Sequence, residues 1–314
     1  MGKPALMKTN FGGLKLFHVG KVRDIYELGP YLLIVATDRI SAFDVIMENP
    51  IPGKGEILTQ MSVFWFKEME GIIENHLVSV DPLEFPDQCA PYREDMQDRS
   101  MLVKKAKPVP IECIVRGYLS GSAWKDYRRN KTVSSIRLPD GLKESAKLPE
   151  PMFTPSTKAP EGEHDTPITR DDMENIIGYE LTERIIEISL AVYDRATKIA
   201  DEAGIIIADT KMEMGLIEDE LILIDELLTP DSSRFWPGDD YEEGRAQKSF
   251  DKQFLRDYLL SLNWNQRPPA PELPDEIIEK TRERYEEALN RLVKPQRICQ
   301  TKWQATSNNG QVIH

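Results

Sequence analysis

The stretch that decides the fold is IIIADTKMEMG (205–215), followed after a short polar break by ELILIDELLTPDSSRFW (220–236). Two Ile- and Leu-rich runs, each bounded by charged or turn residues, read as the paired strands of a hairpin. Side chains alternate along a strand. Asp209, Lys211 and Glu213 therefore share one face, and Thr210, Met212 and Met214 share the other. The connection decides where the returning acids, Asp225 and Glu226, fall. A three-residue loop sets Asp225 across from Glu213, whereas a two-residue loop sets them on opposite faces. We adopt the three-residue loop, because two carboxylates facing each other across a ladder repel unless a cation sits between them. A solvated polar face is the competing reading. It is weakened by the flanking runs GIIIA and LILI, which suit strands covered on both sides.

Working outward, residues 11 to 47 read as strands with a turn at Gly29-Pro30, and 56 to 74 have helical apolar spacing. Residues 100 to 119 return to strand, interrupted at Pro108 and Pro110. Residues 130 to 168 are rich in Pro and Ser and too long for a plain connector, which makes them a candidate lid or wrapped surface loop. A helix is expected from Thr169, capped with Asp172, to Ala203, where Gly204 stops it. Further helices are expected at 249–262 and 275–292. The mixture predicts an α+β fold with antiparallel sheets and packed helices, a first lobe over 1–110, a second over 111–245, and a helical region over 246–314.

Composition narrows the function. The chain of 314 residues carries a net charge of −13, so nucleic acid is excluded as a partner for its surface at large. No apolar run approaches a membrane span and the N-terminus has no signal-peptide core, so a cytoplasmic protein without a membrane partner is expected. Cys89, Cys113 and Cys299 are odd in number and far apart, which fits a reducing compartment. His18, His76, His164 and His314 lack metal-ligand spacing, so any metal should be hard and oxygen-bound, as Mg²⁺ is. An acidic protein that handles phosphates needs local cations. Lys21 and Arg23 alternate after the Gly20 turn. Arg116 precedes a Ser120-Gly121-Ser122 turn, and Asp231-Ser232-Ser233-Arg234 follows the acidic strand end. Asp38, Arg39, Ser41 and Asp44 repeat similar content near the N-terminus. Each motif alone is matched by an ordinary turn or hairpin.

Taken in order, GKVRDIYE, ATDRISAFDV, PIECIVRGYLSGSAWKDY, FTPSTKAPEGEHD, IIIADTKMEMG, IDELLTPDSSRFW and SFDKQFLRDYL resemble the SAICAR synthetases, phosphoribosylaminoimidazole-succinocarboxamide synthases. The likeness covers about residues 17 to 262, and the length and C-terminal helices resemble the longer, fungal-like form. The resemblance implies a two-lobed SAICAR-synthase fold related to ATP-grasp, with nucleotide between the lobes. It implies an ATP-dependent ligase of purine biosynthesis that joins the carboxylate of carboxyaminoimidazole ribotide to the amine of L-aspartate. Residue by residue, it implies phosphate contacts from Lys21 and Arg23, and Lys158 on the nucleotide-side loop. Glu213 and Asp225 would serve nucleotide and Mg²⁺. Arg116, Ser122, Asp209, Asp231 and Arg234 would line the ribotide site. Lys211 and Ser41 would lie near aspartate and the reacting carboxylate, with Arg256 close by and Asp209 a possible base. Backbone between Lys104 and Glu112 would hold adenine. A small-molecule kinase and a non-catalytic phosphometabolite-binding protein are the alternatives. The two acids Glu213 and Asp225 argue against the second, and ADP release that requires both ribotide and aspartate separates ligase from kinase.

Overall fold

The fold is organised around one long strand that contains the quoted run. In a computed structural model describing residues 4–158 and 165–293, the chain forms fifteen strands and seven α-helices among those residues. In chain order the strands begin with β1 (Lys15–Val19), β2 (Arg23–Leu28), β3 (Tyr31–Ala36), β4 (Ser41–Ala42), β5 (Val45–Ile46), β6 (Leu77–Ser79) and β7 (Ser100–Lys104). They continue with β8 (Lys107–Tyr118), β9 (Thr132–Val133), β10 (Ile136–Arg137), β11 (Lys147–Phe153) and β12 (Ser156–Thr157), and end with β13 (Ile205–Ile217), β14 (Glu220–Ile224) and β15 (Ser233–Pro237). The helices are α1 (Lys54–Glu68), α2 (Arg93–Met96), α3 (Gly121–Asn130), α4 (Arg170–Ile177), α5 (Tyr179–Glu202), α6 (Gln253–Ser261) and α7 (Asp275–Leu292).

A first antiparallel sheet has the order β1-β2-β3-β7-β6, and a second has β11-β8-β13-β14, with β12 on β8 and β15 on β13. A backbone seam joins the sheets: the His76 N–H donates to the Leu223 carbonyl at 3.0 Å and the Leu223 N–H to the Glu74 carbonyl at 2.9 Å. One apolar core spans both sheets, from Ile34 and Met101 through Trp65 to Met212, Phe235 and Tyr285. No helix among the described residues is long and apolar enough to cross a membrane.

The expected α+β architecture holds, with four local corrections. The β13–β14 connection is a two-residue loop, Glu218-Asp219, with Ile217 opposite Glu220 and Glu213 opposite Ile224. Asp225 is therefore not the cross-strand partner of Glu213. It lies one residue beyond β14 at φ +67, and this left-handed turn of the backbone breaks the strand alternation that the expectation relied on. Second, Pro108 and Pro110 do not break the 100–119 run, which is interrupted at residues 105–106. Both prolines lie inside β8, beside a register shift on β13 between Glu213 and Gly215 that spares the ladder their missing N–H groups. Third, Gly178, at φ +86, divides the expected 169–203 helix into α4 and α5, while the Thr169–Asp172 capping box forms as expected. Fourth, the 130–168 segment is no plain loop: it contributes β9 to β12, and β11 pairs with β8. Residues 159–164 with His164, and also Cys299 and His314, lie outside the described residues.

Candidate active site

Three strands line up the site. Along β13, Asp209, Lys211 and Glu213 alternate on one face, while Thr210, Met212 and Met214 are buried on the other. On one side β8 sets Arg116 opposite Asp209 and Glu112 opposite Glu213. On the other, β15 sets Arg234 opposite Asp209. Asp209 Oδ2 accepts from Arg116 Nη1 at 3.1 Å and also from Arg234 Nη1. Arg116 Nε donates to Thr154 Oγ1 at 3.1 Å, so its planar fork is held from two directions. Burial pulls the Arg116 pKa down against the pull of Asp209, whereas Asp209 raises that of Arg234 against its burial. Gly121, at φ +57, lies against Arg234: a Cβ there would come within 2.3 Å of the guanidinium. Ser122 follows it on the exposed first turn of α3.

The next pair along β13 joins Lys211 Nζ to Glu112 Oε1 at 2.7 Å. Burial pushes the Glu112 carboxyl up to about 7, against Lys211, with Asp165 adding to the rise. The Lys211 amine is opposed by burial but ends above its ordinary value because Glu112 and Glu213 lie close. Beyond it, Glu213 pairs with Lys158. Arg23, from the first sheet, reaches Asp225 at 2.8 Å and Glu226 at 3.5 Å, although its Nη1 is not aligned for a hydrogen bond. Burial raises the Asp225 pKa against the influence of Arg23, and the Glu213 charge adds to the rise. The ring of His76 hydrogen-bonds the Asp225 backbone beside the seam, and burial holds that ring neutral, with a pKa down at about 3.

The structure thus brings Lys158, Lys211, Glu213, Asp225 and Arg23 into one electrostatic neighbourhood, with Asp209, Arg116 and Arg234 next along the sheet. Among the described residues no three His, Cys, Asp or Glu side chains gather as a metal cage. The donors that do cluster, Glu213 and Asp225, are hard carboxylates, and the Glu213 charge adds to the cost of ionising Asp225. They fit a Mg²⁺ ion held by one or two carboxylates with phosphate oxygens completing its shell, not an all-protein cage.

Other expected residues sit differently. Lys21 is exposed and pairs with Asp44, while Ser41 is half-buried at the start of β4. Asp38 and Arg39 belong to the framework. Asp38 accepts from the Leu6 and Gly55 N–H groups at 2.7 and 3.0 Å, and Arg39 donates to the Gly20 and Lys21 carbonyls at 2.9 and 3.1 Å. Asp231 does not present its carboxylate to an open pocket: Oδ2 meets Lys54 at 2.8 Å and Lys252 at 3.1 Å, and both lysines are buried. Arg256 is half-buried on α6, one turn past Lys252. Glu112, His76, Lys54 and Lys252 were not singled out from the sequence. Of these only Glu112 left a signal there, since it lies two and four residues before Ile114 and Arg116 on the same strand face. A groove of about 560 Å³ between residues 237–250 and α7 lies elsewhere, and its Lys248 and Arg291 already pair with Asp240 and Glu287.

The profile of the SAICAR synthetase family matches residues 16–271. The chain is similar to the phosphoribosylaminoimidazole-succinocarboxamide synthase of Desulfosudis oleivorans, with 61% identity over 285 residues, covering 91% of this chain and 97% of that protein. Likeness to the same-named protein of Geobacter sulfurreducens is 61% over 287 residues, with the same coverage of 91% and 97%. Among solved structures, SAICAR synthase from Saccharomyces cerevisiae complexed with SAICAR superposes with a TM-score of 0.84 at 46% identity, covering 96% of this chain and 100% of that one. A more distant SAICAR synthetase, solved in complex with ADP, shares the fold at a TM-score of 0.65 and 24% identity, covering 88% of this chain and 96% of that one. With a family match over most of its length and relatives this similar, the chain belongs to the SAICAR synthetase family.

Proposed function

We propose that the face of β13 between Asp209 and Glu213 is the reaction centre of this ligase. The enzyme joins carboxyaminoimidazole ribotide to L-aspartate with cleavage of ATP, giving SAICAR, ADP and phosphate in purine biosynthesis. The observation that carries the assignment of the centre is the ordered row on one sheet face: two arginines around Asp209, then Lys211 with Glu112, then Glu213 and Asp225 with Lys158 and Arg23. An anion-gripping end thus abuts an acid-and-cation end, which is what the transfer of a phosphoryl group to a carboxylate needs.

A carboxylate and an amine do not condense unaided, because oxide is a poor leaving group. In our reading the ribotide carboxylate attacks the γ-phosphorus of ATP and ADP departs. The aspartate amine then attacks the acyl phosphate carbon, and phosphate leaves with the former carboxylate oxygen. Arg116 and Arg234 hold the ribotide, with Ser122 and the 231–234 turn alongside, and Asp209 orients the two guanidiniums. Both guanidiniums already occupy Asp209 Oδ2, so Asp209 suits this orienting task better than proton abstraction. Lys211 offsets the negative charge that accumulates between carboxylate and phosphate, and Ser41 and Arg256 are assigned to aspartate and the reacting carboxylate on the family resemblance alone. Lys21, Arg23 and Lys158 serve the nucleotide. Glu213 and Asp225 would hold Mg²⁺, which would supply neutralisation of phosphate charge there. We assign nucleotide binding to residues 1–110 completed by Lys158, substrate and metal binding to 111–245, and a packed helical role to 246–314, with the first boundary running through β8, which joins the two regions as one continuous strand. Residence in the cytoplasm, where these soluble phosphate esters occur, belongs to the same reading.

Oxygen-18 in the ribotide carboxylate tests the route. One labelled oxygen per turnover should appear in inorganic phosphate, with ADP release dependent on ribotide and aspartate together. Unlabelled phosphate under full turnover would exclude the acyl phosphate.

A further inference from the structure

We infer that Tyr285 of α7 is a positioning residue for the ribotide site, acting through Asp231. The inference rests on the reading above that the 231–234 turn serves the ribotide. The family profile ends at residue 271, and α7 begins at Asp275, so this helix lies outside the segment that defines the family. Nevertheless it delivers a side chain to the site's foundation. The Tyr285 hydroxyl donates to Asp231 Oδ1 at 2.7 Å, opposite the oxygen that meets Lys54 and Lys252. The Tyr285 ring and the Lys54 amine are fully buried, and the Asp231 side chain is only 2% exposed.

Three remote segments therefore converge on one carboxylate: the first residue of α1, the residue preceding α6, and the middle of α7. Asp231 thereby keeps both lysines in place beneath the turn that carries Arg234. The turn's shape is in turn tied to the reaction centre, because the Lys211 N–H donates to the Ser232 carbonyl at 2.9 Å. A buried carboxylate needs its oxygens satisfied to hold one orientation. The tyrosine supplies the bond on the side away from the lysines. Burial, with the Asp231 charge beside it, pushes its pKa well above the usual tyrosine value, so it remains a donor at any working pH.

The test compares Tyr285→Phe, which removes one oxygen, with Leu292→Ala, which loosens the packing of the same helix without touching Asp231. Apparent KM values for ribotide and ATP are measured for both, and KM does not depend on the folded fraction. Tyr285→Phe should raise the ribotide KM about tenfold, the low end for losing a hydrogen bond to a charged group. The ATP KM should barely move, and Leu292→Ala should change neither. An unchanged ribotide KM in Tyr285→Phe, or the same selective rise in Leu292→Ala, overturns the inference. Arg234→Lys, run alongside, keeps the two levels apart. If it raises the ribotide KM while Tyr285→Phe does not, only the inference fails; if neither does, the placement of the ribotide fails with it.

Discussion

Replacing Asp225 by Asn separates charge from shape. The residue sits at φ +67, a region that Asn tolerates better than most residues, and its backbone stays bonded to the His76 ring, so the local fold should persist. What is lost is one negative charge at 2.8 Å from Arg23 Nη1. Breaking a buried pair outright costs about 3–5 kcal/mol, because the surviving charge is left alone. Here Arg23 keeps Glu226 at 3.5 Å and the nearby Glu213, and burial already works against an ionised Asp225. The net loss of stability should therefore be only ~1–2 kcal/mol, a melting shift of about 2–6 °C. The effect on turnover should be larger. Removing a charge-stabilising ligand lowers kcat by about a hundredfold or more, which corresponds to ~2.7 kcal/mol in the barrier. The assay follows ADP release across a Mg²⁺ titration with both substrates saturating, alongside ribotide binding by calorimetry and a thermal melt. The required Mg²⁺ concentration should rise while ribotide binding stays unchanged. Near-normal turnover at ordinary Mg²⁺ would refute the reasoning, as would a melting loss large enough to account for the lost activity.

Arg116→Lys keeps the charge but cannot hold Thr154 and Asp209 at once, so the ribotide KM should rise roughly tenfold or more with the ATP KM little changed; an effect on ATP instead would mean that the two sites are reversed. The buried His76 gives an acid-side signature. With its pKa down at about 3, the folded state binds fewer protons than the unfolded state below about pH 6.5, so its stabilising contribution is complete above that pH and fades as pH falls towards 3. Between pH 7 and 5 the loss from this one group is about 2 kcal/mol. The raised Glu112 works in the opposite sense, favouring the folded state as pH falls from about 7 towards 4.5, so wild-type curves alone hide the histidine. The measurable quantity is the stability gap between wild type and His76→Gln, which should narrow as pH falls from 7 to 5; a constant gap would show that His76 is not held neutral.

The alternation of Asp209, Lys211 and Glu213 was legible because strand geometry depends on local spacing, and the capping box at Thr169 and the end of the run at Gly204 were legible for the same reason. The location of Asp225 was not, since a single left-handed residue after β14 redirects the chain and short-range spacing is silent about it. The apparent symmetry between the ATDRISAFD and TPDSSRFW motifs was also misleading. In the first, Asp38 and Arg39 spend their polar atoms on the backbone of the N-terminal segment and the Gly20 turn, a use visible only once 6–24 and 38–55 lie together in space. Lys54 and Lys252 likewise look like ordinary surface lysines until three segments close over Asp231. Partnerships across long stretches of chain, and not local propensity, decide such roles.

The loop 225–232 leaves β13 where Glu213 meets Ile224 and rejoins it where Thr210 meets Ser233. Both of its ends are fastened to one strand, three residues apart, a span of about 10 Å at the usual strand rise. Eight residues cover that distance with slack, and the slack is folded inward: Leu227, Leu228 and Thr229 are fully buried, and Asp231 is gripped by Lys54, Lys252 and Tyr285. The loop is thus a clamp and not a replaceable insert: a change within it is felt at Asp225, in the core and at the 231–234 turn together, so a redesign of acceptor preference has to move these as a unit.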